Sequence, residues 1–288
     1  MKRILITGAN SYIGTSVEKY LAQWPEKYHV DTIDMIDDSW REHSFTDYDS
    51  VFHVAGIAHI NTKKLNSSAR ERYWAVNALL PVEVAQKAKA ANVRQFIFLS
   101  SMSVYGEEGG LKLPVVITKT TPVNPRDIYG ASKAKAEEGL ISLQSQSFHL
   151  SILRPPMVYG PGCKGNYQRL ARFAKKTWLF PNLDNRRSIL FIGNLLPFIR
   201  DLIDDEVSGK FYPQNLKTVS TYEIVSTIAM LNGKKIRSIK LLNPLIKLID
   251  LSIIRKVFGS LFYDNKISHQ CDTYDFLESI KKTEGFSD

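Results

Sequence analysis

A chain of 288 residues, 44% hydrophobic and 23% charged, can bury a sizeable core, and its ordinary Gly, Pro and Cys content excludes collagen-like, disordered and disulfide-scaffold classes. The formal net charge of +9 is spread along the chain, so nucleic acid and an anionic small substrate such as a nucleotide diphosphate both remain readings of charge alone. Cys163 and Cys271 have no metal-ligand spacing and suit a reducing cytoplasm, and no apolar run reaches membrane-spanning length without charges.

Arg3 to Thr7 is a short apolar run that reads as a buried parallel strand. It stops at Thr7-Gly8-Ala9-Asn10, too short for a signal peptide. Val17, Leu21 and Trp24 then recur at helical spacing. His29 to Asp34 and Ser50 to Val54 read as strands, separated by an unusually short segment. Val76, Leu80, Val84 and Ala88 share one face of a helix over Arg70–Ala91. Gln95 to Ser100 is a strand, Tyr129 to Gln144 a helix and Leu150 to Leu153 a strand. Such alternation implies right-handed βαβ units and an α/β fold with a Rossmann-type doubly wound parallel sheet over 1–155. After Pro155 the pattern loosens at Gly160-Pro161-Gly162, and 156–288 reads mainly as a small C-terminal substrate-binding lobe with some segments returning to the core. Lys234 to Phe262, rich in Leu, Ile, Lys and Arg, reads as an amphipathic helix closing that lobe, with a place on an anionic membrane surface as the alternative.

The turn Thr7-Gly8-Ala9-Asn10-Ser11-Tyr12-Ile13-Gly14 has small residues where a backbone would approach a pyrophosphate at a helix N-terminus. Ser11 replaces the middle glycine of a Gly-x-x-Gly-x-x-Gly fingerprint, and its hydroxyl is able to donate to a phosphate. Asp34, twenty residues after Gly14, suits a ribose 2′-hydroxyl and thus NAD; Arg41 suits a 2′-phosphate, so NAD and NADP both remain open. Tyr129 and Lys133 are four apart on one helix face, where an ammonium is expected to lower the phenol's pKa for proton transfer to or from a sugar oxygen. Ser101, at a strand end, is placed to hydrogen-bond the same oxygen.

These motifs, with HVAGIAH (53–59), AVN (75–77), SSMSVYG (100–106), YGASK (129–133), LRPPMVYGPG (153–162) and NRRSILFIGNL (185–195), resemble the extended short-chain dehydrogenase/reductase family, the NAD-dependent epimerase/dehydratase group, over nearly the whole chain. The resemblance implies a catalytic set of Ser101, Tyr129 and Lys133, supported by Asn77. It implies cofactor contacts from Gly8, Asn10, Ser11, Tyr12, Ile13 and Gly14, from Asp34, Ala55, Gly56, Asn77 and Ser100, and from Tyr129 and Lys133 themselves. Ser103, Asn166 and Arg187 would touch the substrate, Arg187 gripping a diphosphate through a bidentate guanidinium. No metal and no nucleic acid partner are expected, and a homodimer through the Tyr–Lys helix is implied by analogy.

Three departures narrow the chemistry. Dehydratase members carry Asp-Glu after the catalytic Ser/Thr, and here those positions are Met102 and Ser103. Met157 replaces a common asparagine, and the C-terminal Arg-Pro motif is not evident, with Lys266 as a stand-in. The likeness is strongest to capsule-type UDP-4-ketosugar reductases, and related chains are labelled UDP-glucose 4-epimerases. Three readings follow: a UDP-(acetamido)sugar 4-ketoreductase for surface polysaccharide, a UDP-hexose 4-epimerase, and a non-catalytic dinucleotide-binding scaffold. His53 and His59 read as structural rather than catalytic.

Overall fold

A computed structural model describes residues 1–58, 66–241, 243–249 and 251–286; His59 lies outside them. The chain opens with β1 (Lys2–Thr7), α1 (Tyr12–Leu21), β2 (Tyr28–Ile33) and β3 (Ser50–His53). There follow α2 (Ser67–Trp74), α3 (Leu80–Ala90), β4 (Gln95–Leu99), β5 (Val115–Ile117), α4 (Ile128–Ile141) and β6 (His149–Leu153). Next come β7 (Met157–Tyr159), α5 (Asn166–Lys176), β8 (Leu179–Pro181), β9 (Ile189–Phe191), α6 (Ile192–Asp205) and β10 (Gly209–Phe211). The chain closes with β11 (Pro213–Asn215), α7 (Thr221–Leu231), β12 (Arg237–Ile239), α8 (Asn243–Leu248), α9 (Ser252–Phe258), β13 (Leu261–Tyr263), β14 (His269–Cys271) and α10 (Phe276–Glu284).

Two compact units divide these elements. The first comprises 1–106, 123–155 and 196–211, and the division falls inside α6. Its six strands are all parallel in the order β10-β6-β4-β3-β1-β2. Ile4, Leu5, Ile6, Val51, Phe52, Phe96, Ile97 and Phe98 are fully buried, as strands covered on both faces require. The short segment between β2 and β3 holds one 3-10 turn, Asp38–Arg41, in place of a helical crossover and a further strand, so β2 forms the sheet edge. Trp40, Phe45 and Tyr48 from that segment are buried in the core cluster with Leu5 and Val51. The chain reverses direction across the sheet between β1 and β3, and the loops after these strands flank the crevice where doubly wound sheets take ligands.

The second unit comprises 107–122, 156–195 and 212–288. It holds four parallel strand pairs, β5 with β13, β7 with β9, β8 with β12 and β11 with β14. Buried aromatics organise its interior: the Tyr159 and Tyr167 rings stack 5.0 Å apart, and Asn215 Nδ2 donates to the Tyr159 hydroxyl at 3.1 Å. Lys234–Phe262 is not one amphipathic helix: β12, α8, α9 and part of β13 share it, and α9 has no buried residue. Pro244 and the short spans between these elements interrupt helical periodicity, so Leu241, Leu245, Leu248 and Leu251 face outward instead of closing the lobe. Among the described residues, no helix is long and apolar enough to cross a membrane, and no group of three or more His, Cys, Asp or Glu could hold a metal.

Candidate active site

β1 delivers the chain to Gly8, whose φ is +107° and whose absent side chain would otherwise sit 2.7 Å from the Ala55 nitrogen. Only glycine meets both demands, so the loops after β1 and β3 touch backbone to backbone. The Gly8 and Ala9 N–H groups donate to the Ile33 carbonyl, locking the turn to the end of β2. Asn10 has a left-handed φ of 63°, which asparagine tolerates well. Ser11 caps α1, its Oγ accepting from the Gly14 N–H at 3.2 Å. The Ser11 oxygen therefore serves the helix, and only its hydroxyl proton is left to address an anion. A Cβ on Gly14 would lie 2.5 Å from Ser11 Oγ and 3.0 Å from Val54, so this glycine permits close helix–strand packing. Tyr12 and Ile13 are partly buried in the first turn of α1.

Asp34 is exposed, and its Oδ1 accepts from the Met35 and Ile36 N–H groups at 2.6 and 3.0 Å. Arg41 is engaged elsewhere: Nε meets Asp38 Oδ1 at 3.0 Å, Nη2 meets Glu83 Oε2 at 2.6 Å, and the guanidinium stacks on Trp40. A cavity of about 270 Å³ lies here, lined by Met35, Trp40, Arg41, Val76, Leu80 and Glu83 among others.

A row of three contacts joins the end of β4 to α4. Helix positions 129, 133 and 137 share one face. Tyr129 faces Ser101, which favours the ionised phenol, Lys133 Nζ donates to the Leu99 carbonyl at 2.9 Å, and the Ser100 hydroxyl donates to Glu137 Oε1 at 2.5 Å. Ser100, expected at the cofactor, thus turns its hydroxyl inward and leaves only its backbone for such a contact. Asp127 caps α4 by accepting from Gly130 N–H at 2.8 Å. A Cβ on Gly130 would meet the Ser103 carbonyl at 2.4 Å, so this glycine lets the helix press against the turn bearing Ser101 and Ser103. Ser101 Oγ donates to Ser103 Oγ and accepts from the Ser103 N–H, both at 3.1 Å.

Asn77 lies fully buried in a π-helical turn, Ala75–Leu79, between α2 and α3, a distortion frequent at functional sites. Its amide clamps the backbone of Ile57, accepting from the N–H at 3.0 Å and donating to the carbonyl at 3.1 Å. A Cβ on Gly56 would come 2.9 Å from Asn77 Oδ1 and 3.5 Å from Lys133 Nζ. Ala55, Gly56, Asn77 and Lys133 therefore converge, beside the turn containing Gly8. His53 is structural: it is buried, bonded to Thr7 Oγ1 at 2.7 Å and stacked near Phe96 and Phe98, and burial holds its pKa down at about 3.

The expected lowering of the Tyr129 pKa is corrected here. Burial raises it most, the Ser101 hydrogen bond opposes, and Asp127 adds to the rise, so the phenol is held protonated. Burial instead lowers the Lys133 ammonium to about 8, with Glu137 pulling it back up. Glu137 and Arg154, both almost wholly buried, form an ion pair behind the lysine that sequence reasoning missed. Arg154 Nε lies 3.0 Å from Glu137 Oε1, and Nη1 donates to the Tyr105 hydroxyl at 2.7 Å. The only signal for it was Glu137 four residues after Lys133, on the same helix face.

In the second unit, Arg187 is partly buried, donates from Nη1 to the Gly259 carbonyl at 2.8 Å, and makes no carboxylate ion pair among the described residues. Burial without such a partner lowers its pKa to about 10, which leaves the guanidinium receptive to an anion. Asn166 is exposed at the first position of α5, after Gly165 at φ +97°, and Lys266 is exposed.

Residues 4–206 match the NAD dependent epimerase/dehydratase family. A UDP-glucose 4-epimerase of Vibrio cholerae is 30% identical over 99% of this chain and 93% of that protein. The solved UDP-glucuronic acid 4-epimerase of Bacillus cereus, in complex with NAD, superposes with TM-score 0.74 at 17% identity, covering 99% of this chain and 98% of that one. The dTDP-4-dehydrorhamnose reductase of Bacillus anthracis str. Ames, in complex with NADP, superposes with TM-score 0.72 at 20% identity and 98% coverage of both chains. The family match over most of the chain, together with the full-length relative, decides the assignment: this protein belongs to the NAD dependent epimerase/dehydratase family.

Proposed function

We propose that the protein carries out NAD(P)-dependent redox chemistry at C4 of a UDP-linked sugar, with Ser101, Tyr129 and Lys133 as its catalytic set. The observation that carries this reading is the row of contacts joining Tyr129, Lys133 and Glu137 to Ser101, Leu99 and Ser100. The residues fit a dinucleotide: a Cβ would fill the cradle at Gly8, and Gly56 presents a bare Cα beside Asn77 and Lys133. The turn from Gly8 to Gly14 would hold the pyrophosphate, Asp34 the adenosine ribose, and Lys133 the second ribose. When bound, the nicotinamide ring supplies or accepts hydride at the sugar carbon.

Tyr129, held as a phenol, gives its proton to the C4 oxygen while Ser101 hydrogen-bonds that atom. Lys133 places positive charge behind the developing phenolate. Ser103 and Asn166 would orient the sugar nucleotide, and Arg187 would grip its diphosphate. Met102 and Ser103 stand where elimination would need an acid and a base, which leaves reduction or epimerisation. A 4-ketoreductase acting on a UDP-(acetamido)sugar for surface polysaccharide is the first reading, supported by a phenol already protonated for donation. A UDP-hexose 4-epimerase is the second, favoured by the full-length likeness to the Vibrio cholerae protein. The buried thiols of Cys163 and Cys271, not joined in a disulfide, suit a reducing cytoplasm for either.

Tyr129→Phe should lower turnover by about 10²–10⁴-fold while leaving dinucleotide binding intact. Near-normal turnover in that variant would remove the acid/base assignment. Denaturing the purified protein separates the readings: stoichiometric released NAD marks the epimerase, and an empty protein that oxidises NAD(P)H with a UDP-4-ketosugar marks the reductase.

A further inference from the structure

The segment from Lys234 to Lys256 concentrates seven basic residues against one acidic residue, a large part of the chain's net charge of +9. The same segment turns its apolar side chains to solvent: Leu241 is 89% exposed, Leu248 72% and Ile253 68%, with Leu245 and Leu251 also exposed. Within α8 only Ile246 is buried. Three contacts gather these elements into one surface. The Arg237 N–H donates to the Trp178 carbonyl at 2.8 Å, Asn243 Nδ2 to the Asn182 carbonyl at 2.7 Å, and the Phe180 and Phe258 rings lie 5.4 Å apart. Trp178, itself 62% exposed, is tied to this segment through its backbone bond with Arg237, and Lys234, Lys235, Arg237, Lys240 and Lys247 are exposed along it.

We propose that this face of the second unit docks on an anionic lipid bilayer, its leucines and Ile253 entering the acyl boundary and its lysines meeting the headgroups. Charge decides between occupants. A second copy meeting this face about a two-fold axis would oppose two net-positive patches, whereas an acidic headgroup layer neutralises them. Exposed Leu and Ile rimmed by Lys and Arg, with an interfacial Trp, is the composition that places a segment in the headgroup region rather than across the membrane. The proposal is independent of the catalytic reading, because none of these residues belongs to the proposed site.

The test is sedimentation of the full chain with vesicles of phosphatidylcholine, alone or with 30% phosphatidylglycerol. Binding to the anionic vesicles at low salt, at least tenfold above the neutral ones and lost at high salt, is the expected result, since exposed charges are screened within roughly 10 Å at 0.1 M salt. Two double variants, Leu245→Asp with Leu248→Asp and Lys240→Glu with Lys247→Glu, alter exposed side chains and should each lower binding at least tenfold with an unchanged melting curve. Equal sedimentation with both vesicles, or binding unchanged in both variants, would overturn the proposal. So would a concentration-dependent dimer that the same substitutions abolish while no vesicle binding is seen, which would assign the face to a second copy.

Discussion

Removing Glu137 tests how the buried charges behind Lys133 hold the site together. Its carboxylate accepts from Ser100 and pairs with Arg154, and both ionic side chains are at most 4% exposed. In Glu137→Ala, Arg154 keeps the Tyr105 hydroxyl at 2.7 Å but loses the Glu137 carboxylate, so a desolvated guanidinium gives up its buried salt bridge. Breaking such a pair from one side costs about 3–5 kcal/mol. For a chain of this size that is a fall in Tm on the order of 10 °C. Urea unfolding and thermal melts of the wild type, Glu137→Ala and the double variant Glu137→Met with Arg154→Met measure it. The double variant should recover most of the loss, because it removes both charges and fills their volume. A loss below about 1 kcal/mol in Glu137→Ala, or a double variant no more stable than the single one, would refute the reasoning.

Three further outcomes follow from the same geometry. Gly130→Ala puts a methyl 2.4 Å from the Ser103 carbonyl, so α4 must shift; turnover should fall at least tenfold, and unchanged kinetics would show that the close approach is unnecessary. Lys133 has its pKa lowered from 10.5 to about 8, so below pH 8 the folded state carries a buried ammonium at a cost of about 3 kcal/mol. Between pH 8 and 10.5 the folded protein has released that proton while the unfolded chain retains it. Stability relative to Lys133→Met should therefore rise across this window, and a flat difference in urea unfolding would contradict the burial argument. Because Arg41 is held by Asp38 and Glu83 while Asp34 stands at the end of β2, NADH should bind at least tenfold more tightly than NADPH. Fluorescence titration checks this, and Glu83→Ala should narrow the preference by freeing Arg41.

Much of the first unit was legible because its signals are local. Four buried residues in a row mark each central strand, and side-chain period marks the helices, so β1, β3, β4, β6 and α4 fall within a few residues of their expected bounds. The Tyr129–Lys133 spacing placed both on one face before any packing was known. The gap between β2 and β3 was visibly short, yet only the sheet order shows that it leaves β2 at the edge.

What stayed hidden depended on partners distant along the chain. The need for glycine at position 8 comes from Ala55, the burial of Lys133 from the packing of α4 against β4, and the Glu137–Arg154 pair from two elements that meet only in the folded sheet. The sign of the Tyr129 shift is the clearest instance. Sequence puts an ammonium four residues away and points to a lowered pKa, but desolvation sets the direction with only Ser101 opposing it, and desolvation is a property of everything packed around the ring. Likewise, the composition of Lys234–Phe262 told of an amphipathic segment, and only the fold shows which way its leucines face. Covalent spacing determines which side chains share a face; burial, which fixes their charge state and partners, arises only when distant segments close over them.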